Sequence, residues 1–370
     1  MWKKLTLIAA LLGLAMLLVL PLAGTLAKGP STPPRGVGRI AVNENGLIVM
    51  LNPDGSGRTV VAATASAGSK FYIHSEAPGW SPMFSDGTVK LAYDDRVAGS
   101  ADDCLMVVDV YPTVGTPFPI AGLNRPGDNY RMDWSPVERV TAYRADGVAI
   151  TVDKVRVAFK GCYVVDLYYH FDDSDPGHSK GTFEVAPSMY DSNGQFSPLV
   201  LNPGGWMLRF SPDGQWLALA RNSTLPDGTG YKSVGVASST DPTKQWALID
   251  RPGGYDWYPA WSPTLSADGR YQLAFISTRD NRNEIYAAYF YMNSESGPQN
   301  LSVQRVTNST SAAEVYPTWS PGGSEIAYHD LGGNPYPGPL GVVTVATGQQ
   351  YTVGKGDWPD WSPMELPPLP

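Results

Sequence analysis

Six times along 370 residues an aromatic side chain is followed by Ser-Pro, at Trp80, Trp134, Phe210, Trp261, Trp319 and Trp361. Six copies are beyond coincidence. They make this a repeat protein, in which one supersecondary unit is copied and stacked on its neighbour. The surroundings repeat too. Turn residues come next, as in Pro212-Asp213-Gly214, Ser85-Asp86-Gly87, Ala267-Asp268-Gly269 and Pro321-Gly322-Gly323. Pro presets φ, Asp bonds back to the backbone and Gly accepts positive φ, so each reads as a tight turn. Pro136-Val137-Glu138 lacks that chemistry and predicts an irregular turn. Short apolar runs follow at 90–93, 216–219, 272–275 and 325–328, and further strand-like runs at 105–110, 163–168, 233–237, 284–291 and 341–345.

Period-two alternation between turns predicts four antiparallel strands per unit. The spacing from Trp319 to Trp361 matches the about 40–45 residues of a bare four-stranded propeller blade. The longer interval from Trp134 to Phe210 predicts decorated loops around 145–156 and 170–194. Residues 39–42 resemble the run that follows the tripeptide elsewhere, yet no tripeptide precedes them. Trp361-Ser362-Pro363 has almost nothing after it. The C-terminal segment is therefore expected to supply the innermost strand of a blade whose outer strands come from the N-terminus, with 47–51 and 58–61 next in order. The expected fold is all-β: a six-bladed β-propeller whose ring closes through that shared sheet, leaving no long edge bare.

Composition agrees. Gly (39) and Pro (33) are too frequent for a helical protein. The formal net charge is −8 with no basic stripe, which excludes a nucleic-acid partner. Residues 1–27 read as a signal peptide: Lys3 and Lys4, an apolar run over 5–20, a break at Pro21, and Thr25-Leu26-Ala27 at the cleavage positions. An uncleaved anchor competes, because 5–27 is barely long enough to span a bilayer. Either reading exports the chain, to a periplasmic, cell-surface or secreted location, with a membrane as partner only through that segment. A Pro/Gly-rich linker over 28–38 leads into the propeller, 39–370.

The fullest repeat runs from Tyr258-Pro259-Ala260-Trp261-Ser262-Pro263 through Leu273-Ala274-Phe275-Ile276-Ser277 to Glu284-Ile285-Tyr286. Asn52-Pro53-Asp54-Gly55-Ser56-Gly57 supplies a turn between outer strands. This pattern resembles the WD40-like repeat of TolB-type six-bladed propellers, over residues 39–363. TolB also carries a preceding α/β domain where this sequence has a linker, so the resemblance implies the fold and not TolB's partners. The same repeat forms the propeller of prolyl-oligopeptidase-like enzymes, whose hydrolase domain has no counterpart after Pro370.

With the tripeptide read as opening the innermost strand, the residues before it fall at one mouth of the central channel. The aromatics there are Tyr130, Trp206, Tyr258, Tyr316 and Trp358; the carboxylates are Asp133, Asp256, Glu314, Asp357 and Asp360. A funnel of that composition suits a ligand, while Tyr-Pro also serves simply to shape a loop. The tripeptide aromatics themselves read as wedges between blades. The expectation is a binding protein without catalytic residues, recognising a protein, peptide or glycan of the cell envelope. The alternative is a hydrolase or lyase acting on a glycan or lactone through mouth carboxylates or a metal. Asp172, Asp173 and Asp175 offer oxygen ligands to calcium, but their spacing does not fit a helix-loop-helix motif, so a solvated loop without cofactor is expected. The four His are expected at the surface. An exported chain permits a disulfide, but Cys104 and Cys162 sit at equivalent strand starts of adjacent blades, which fan apart, so free thiols are expected unless a loop rearrangement brings the two together.

Overall fold

The computed structural model describes residues 37–64, 77–96, 103–125, 132–143, 148–159, 163–173, 179–185, 205–241, 243–309, 313–332 and 337–370. The leader, Cys162 and most of the linker lie outside these segments. Every named element is a strand. The chain opens with β1 (Ile40–Glu44), β2 (Leu47–Leu51) and β3 (Thr59–Ala63). Next come β4 (Gly79–Trp80), β5 (Val89–Arg96), β6 (Asp103–Tyr111) and β7 (Phe118–Arg125). Then follow β8 (Asp133–Trp134), β9 (Glu138–Tyr143), β10 (Ala149–Phe159), β11 (Tyr163–His170) and β12 (Thr182–Val185). The fourth unit is β13 (Trp206–Phe210), β14 (Trp216–Thr224), β15 (Gly230–Ser238) and β16 (Gln245–Ile249). The fifth is β17 (Asp256–Trp261), β18 (Tyr271–Ser277), β19 (Glu284–Asn293) and β20 (Gly297–Arg305). The sixth is β21 (Glu314–Trp319), β22 (Glu325–Asp330), β23 (Pro339–Thr344) and β24 (Gln349–Lys355), and β25 (Asp357–Trp361) comes last.

These strands form six antiparallel sheets among the described residues. Five are plain meanders of four; in the other, β10 pairs both β8 and β9. The strands that carry the tripeptide aromatic, β4, β8, β13, β17, β21 and β25, each lie against the next in that order, and β25 lies against β4. In the first sheet the order is β25-β1-β2-β3, with Ile40 opposite Trp361 and Ala41 opposite Asp360. The architecture is that of a β-propeller.

The tripeptide serine fixes the register inside every sheet. Its N–H donates to a carbonyl of the second strand in all six: Ser81 to Lys90, Ser135 to Arg156, Ser211 to Trp216, Ser262 to Gln272, Ser320 to Glu325 and Ser362 to Arg39. In five its hydroxyl also accepts the N–H of that same residue; across the seam, Arg39 N–H donates to Ser362 Oγ at 3.0 Å. The aromatics join one sheet to the previous one. Trp261 packs with Trp216, Val234 and Val236 of the fourth sheet and with Leu273 and Phe275 of its own. Its indole N–H donates to Arg209 O at 3.0 Å. Trp319 does the same to Ala260 O at 3.0 Å, and Trp80 to Asp360 O at 2.9 Å. The Trp80 bond crosses from the second sheet in sequence to the C-terminal strand, so the seam uses the same latch as the interior.

Three expectations are corrected. The tripeptide closes the innermost strand instead of opening it: Phe210, Trp261, Trp319 and Trp361 are the last residues of β13, β17, β21 and β25. Proline two residues on has no N–H to continue the ladder, which ends the strand there. The loop expected around 145–156 is largely strand, because Ile150, Val152, Val155 and Val157 are buried along β10. After Pro136 the chain forms β9, which extends that sheet along β10, so the odd turn chemistry marks an added strand. Finally, His170 and His329 are buried, while His74 and His178 lie outside the described residues.

Candidate functional site

One residue ahead of the aromatic, the innermost strands carry, in order, Gly79, Asp133, Arg209, Ala260, Thr318 and Asp360. All of these but Gly79 line a cavity of about 270 Å³, with residues of the tripeptides. Pro82, Pro136, Pro212, Pro263, Pro363 and Met364 form its partly exposed rim. Trp134, Phe210, Trp261 and Trp319 are among the aromatics in its wall.

The ring of side chains is held by bonds to the neighbouring strand. Asp133 Oδ2 accepts the N–H of Phe210 at 2.6 Å, Asp360 Oδ2 that of Trp80 at 2.9 Å, and Thr318 Oγ1 that of Trp361 at 3.0 Å. Asp133 and Asp360 are thereby fixed with their carboxylates toward Arg209. Arg209 Nη1 donates to Asp133 Oδ1 at 2.8 Å and to Met132 O at 3.2 Å. Its Nη2 lies 3.9 Å from Asp360 Oδ1, an ion pair too long for a hydrogen bond. Arg209 is 5% exposed, so its guanidinium is buried between the two carboxylates.

Two residues deeper, about 7 Å along each strand, four side chains share one backbone conformation. Met207, Tyr258, Tyr316 and Trp358 have φ of 58°, 52°, 57° and 51°. Bulky residues rarely enter this left-handed region. At each the pairing with the second strand slips, between Trp206 and Arg209, Trp257 and Ala260, Val315 and Thr318, and opposite β25 between Ala41 and Asn43. The bulges turn these side chains inward from successive strands until they meet. Tyr316 stacks on Trp358 at 3.7 Å between ring centroids, and Tyr258 stands edge-on to Tyr316 at 4.6 Å. Met207, Tyr316 and Trp358 are buried, with Trp206 packed beside them. Ala77 packs with them, so the described residues at this level form one aromatic and apolar cluster across several innermost strands.

Beyond the plug, the remaining carboxylates are sealed in the body. Asp256, Glu284 and Glu314 are 0% exposed. Asp256 lies 3.5 Å from Arg251 Nε and 3.6 Å from Arg279 Nη2. Glu284 and Glu314 share the Thr307 hydroxyl, at 2.8 and 3.2 Å, and Arg305 Nη2 donates to Glu284 at 2.8 Å. Burial, and then the charge of Glu284, push the Glu314 carboxyl up to about 7. His329 stacks on Tyr316, and its Nδ1 sits 3.1 Å from Asp357 Oδ1. Burial raises Asp357 to about 7 and lowers His329 to about 4, so each is driven toward its neutral form.

The sequence-selected residues thus divide. Asp133 and Asp360 stand in the cavity floor. Tyr258, Tyr316 and Trp358, with Trp206 beside them, make the plug. Asp256, Glu314 and Asp357 lie beyond it, and Tyr130 is outside the described residues. Asp172 is half-buried, Asp173 exposed, and Asp175 outside the described residues; among those described, no group of three His, Cys, Asp or Glu is placed to hold a metal. Sequence reasoning missed Arg209 and Thr318. Their signal was position: the residue ahead of the aromatic in each repeat.

Fold and cavity together define a β-propeller with a charged-floor cavity at one end of its innermost strands. No protein-family model and no curated protein matches the chain. Solved structures do. Hydrazine synthase of Kuenenia stuttgartiensis gives a TM-score of 0.51 at 8% identity, over 90% of this chain and 48% of that one. The putative TolB of Agrobacterium tumefaciens gives 0.44 at 16%, over 87% and 92%. The β-propeller domain of the Trilobed protease from Pyrococcus furiosus gives 0.41 at 10%, over 84% and 87%. Identities this low speak to the fold alone.

Proposed function

We propose that this chain is an extracytoplasmic binding protein that takes a protein, peptide or glycan group into the tripeptide end of its channel. One observation carries the reading: a cavity of about 270 Å³ with a partly exposed rim has Asp133, Arg209 and Asp360 together in its floor. The leader-like residues 1–27 support export. Binding rather than turnover is favoured because the carboxyls with raised proton affinity, Glu314 and Asp357, are sealed beyond the plug and out of reach of anything in the cavity. The test is capture from a native envelope extract by the immobilised chain, compared with Ala260→Trp. Ala260 lines the cavity, and an indole there fills it. Capture should fall to background in the variant while its melting temperature stays close to that of the parent. Equal capture by both proteins rejects the channel as the site.

A further inference from the structure

Resting on that reading of the cavity, we infer that the group it takes is a basic side chain, lysine or arginine, carried by a protein partner. The floor sets the charge. Three of the lining residues are charged, Asp133, Arg209 and Asp360, and two carboxylates against one guanidinium leave a single negative charge. The surface a ligand meets is weighted the same way. The Asp133 side chain is 21% exposed and that of Asp360 12%, while the Arg209 side chain between them is 6% exposed. An anion entering the cavity therefore meets carboxylate first and is repelled. A neutral group covers the carboxylates and leaves their excess charge buried without compensation, which is costly. A cation beside the two carboxylates brings the floor to neutrality.

The walls set the shape of the cation. Most of the remaining lining is indole, phenyl, prolyl and methionine side chain, broken by Ser135, Ser211, Ser262 and Thr318. Lysine and arginine have an apolar stem and a charged tip, and lie readily along such surface; aromatic rings also attract a nearby cation. At about 270 Å³ the space is small, near the lower limit of ordinary ligand pockets. It holds one side chain, with the molecule that carries it outside on the rim. That rim is apolar. Beyond its prolines and Met364, Met83 directly follows Pro82 and is 44% exposed, and Leu265 lies two residues after Pro263 and is 48% exposed. An anchor in a pocket, ringed by contacts that keep water out, is the arrangement of a protein interface, in which arginine is an enriched anchor. An amino sugar supplies the same charge, but the rest of its chain would lay hydroxyls on these apolar side chains. The chain's formal net charge of −8 adds long-range attraction for a basic partner.

The experiment screens the immobilised chain against an array of random short peptides and of neutral, uronic-acid and amino-sugar glycans. The strongest peptide is then remade with each lysine changed to acetyl-lysine and each arginine to citrulline, one at a time, and titrated by calorimetry at low and high salt. Basic peptides should lead the array. Neutralising one particular side chain should weaken binding at least tenfold, and high salt should weaken it too. Asp133→Asn and Asp360→Asn should each weaken the parent peptide at least tenfold and leave its neutralised form unaffected; both keep an acceptor for the N–H groups of Phe210 and Trp80. Ala260→Trp should abolish binding. Variants are compared only where their melts match that of the parent; the neutralised peptides need no variant and decide alone if none folds. Binding led by neutral or acidic peptides, binding that no single neutralisation weakens, or no peptide binding at all overturns the inference. An amino-sugar glycan that outbinds every peptide overturns the protein assignment. In either case binding that Ala260→Trp abolishes leaves the channel as the site. Binding that Ala260→Trp does not alter overturns both.

Discussion

The Glu284–Glu314 pair makes stability depend on pH in a direction opposite to that of most carboxylates. Glu314 is fully buried, shares the Thr307 hydroxyl with Glu284, and titrates near 7 instead of its ordinary 4.5. The folded state therefore holds a proton that the unfolded state releases. A raised carboxyl stabilises fully below the unfolded value, near pH 4.5, and that contribution is lost as pH climbs through about 7. The shift is roughly 2.5 pH units, worth about 3 kcal/mol at about 1.4 kcal/mol per unit. Glu314→Gln keeps shape and hydrogen bonding but cannot ionise. At pH 4 variant and parent should melt within about 1 °C of each other. At pH 8 the variant should melt higher by about 4 °C, given the entropy of unfolding for a body of this size. Calorimetry across pH 4 to 8 reads the gap directly. A gap that does not widen with pH would show that Glu314 is ionised throughout, with Arg305 neutralising both carboxylates, and the reasoning from burial would fail.

Further outcomes follow from the latches and the plug. Trp80→Phe removes the indole bond to Asp360 O, and Trp261→Phe removes its counterpart to Arg209 O. Each should cost about 1–2 kcal/mol in urea unfolding, and a seam mutant far weaker than the interior one would contradict a uniform set of latches. Trp358→Ala empties the stack on Tyr316 and should cost about 3–5 kcal/mol; a near-neutral melt would mean the plug is not packed as described. Ending the chain at Gly356 removes β25 and leaves β1 with a bare edge, so limited proteolysis should then cut within β1–β3 first.

How far the sequence could be read depended on whether a rule of periodicity or a rule of exception governed the residue. Alternation exposed the pairing of Ile40 with Trp361, because the run 39–42 carries the same pattern as the runs after each tripeptide. It did not reveal where the innermost strand stops. The tripeptide was read as a beginning although turn residues follow it, and the proline that cannot donate is what ends the ladder. Tyr258, Tyr316 and Trp358 were placed at the mouth because a strand that opens at the tripeptide leaves the residues before it there. Local preference gives no sign that a bulky side chain will adopt positive φ; only packing from several strands at once imposes it. In the floor, Asp133 and Asp360 were found by searching for carboxylates. Arg209, at the equivalent position of another repeat, was passed over because it has the opposite charge, although comparing that column of the repeat brings the three together.

The place of β25 also has a consequence for biogenesis. A ribosome makes β1–β3 first and β25 last among the described strands, so one sheet waits for almost the whole chain before it can be finished. Until then the inner edge of β1 stays open to any stray strand, including that of another nascent copy. Stalled or clipped copies would lack that final piece alone, and their open edge gives quality-control proteases and chaperones a single signal to recognise.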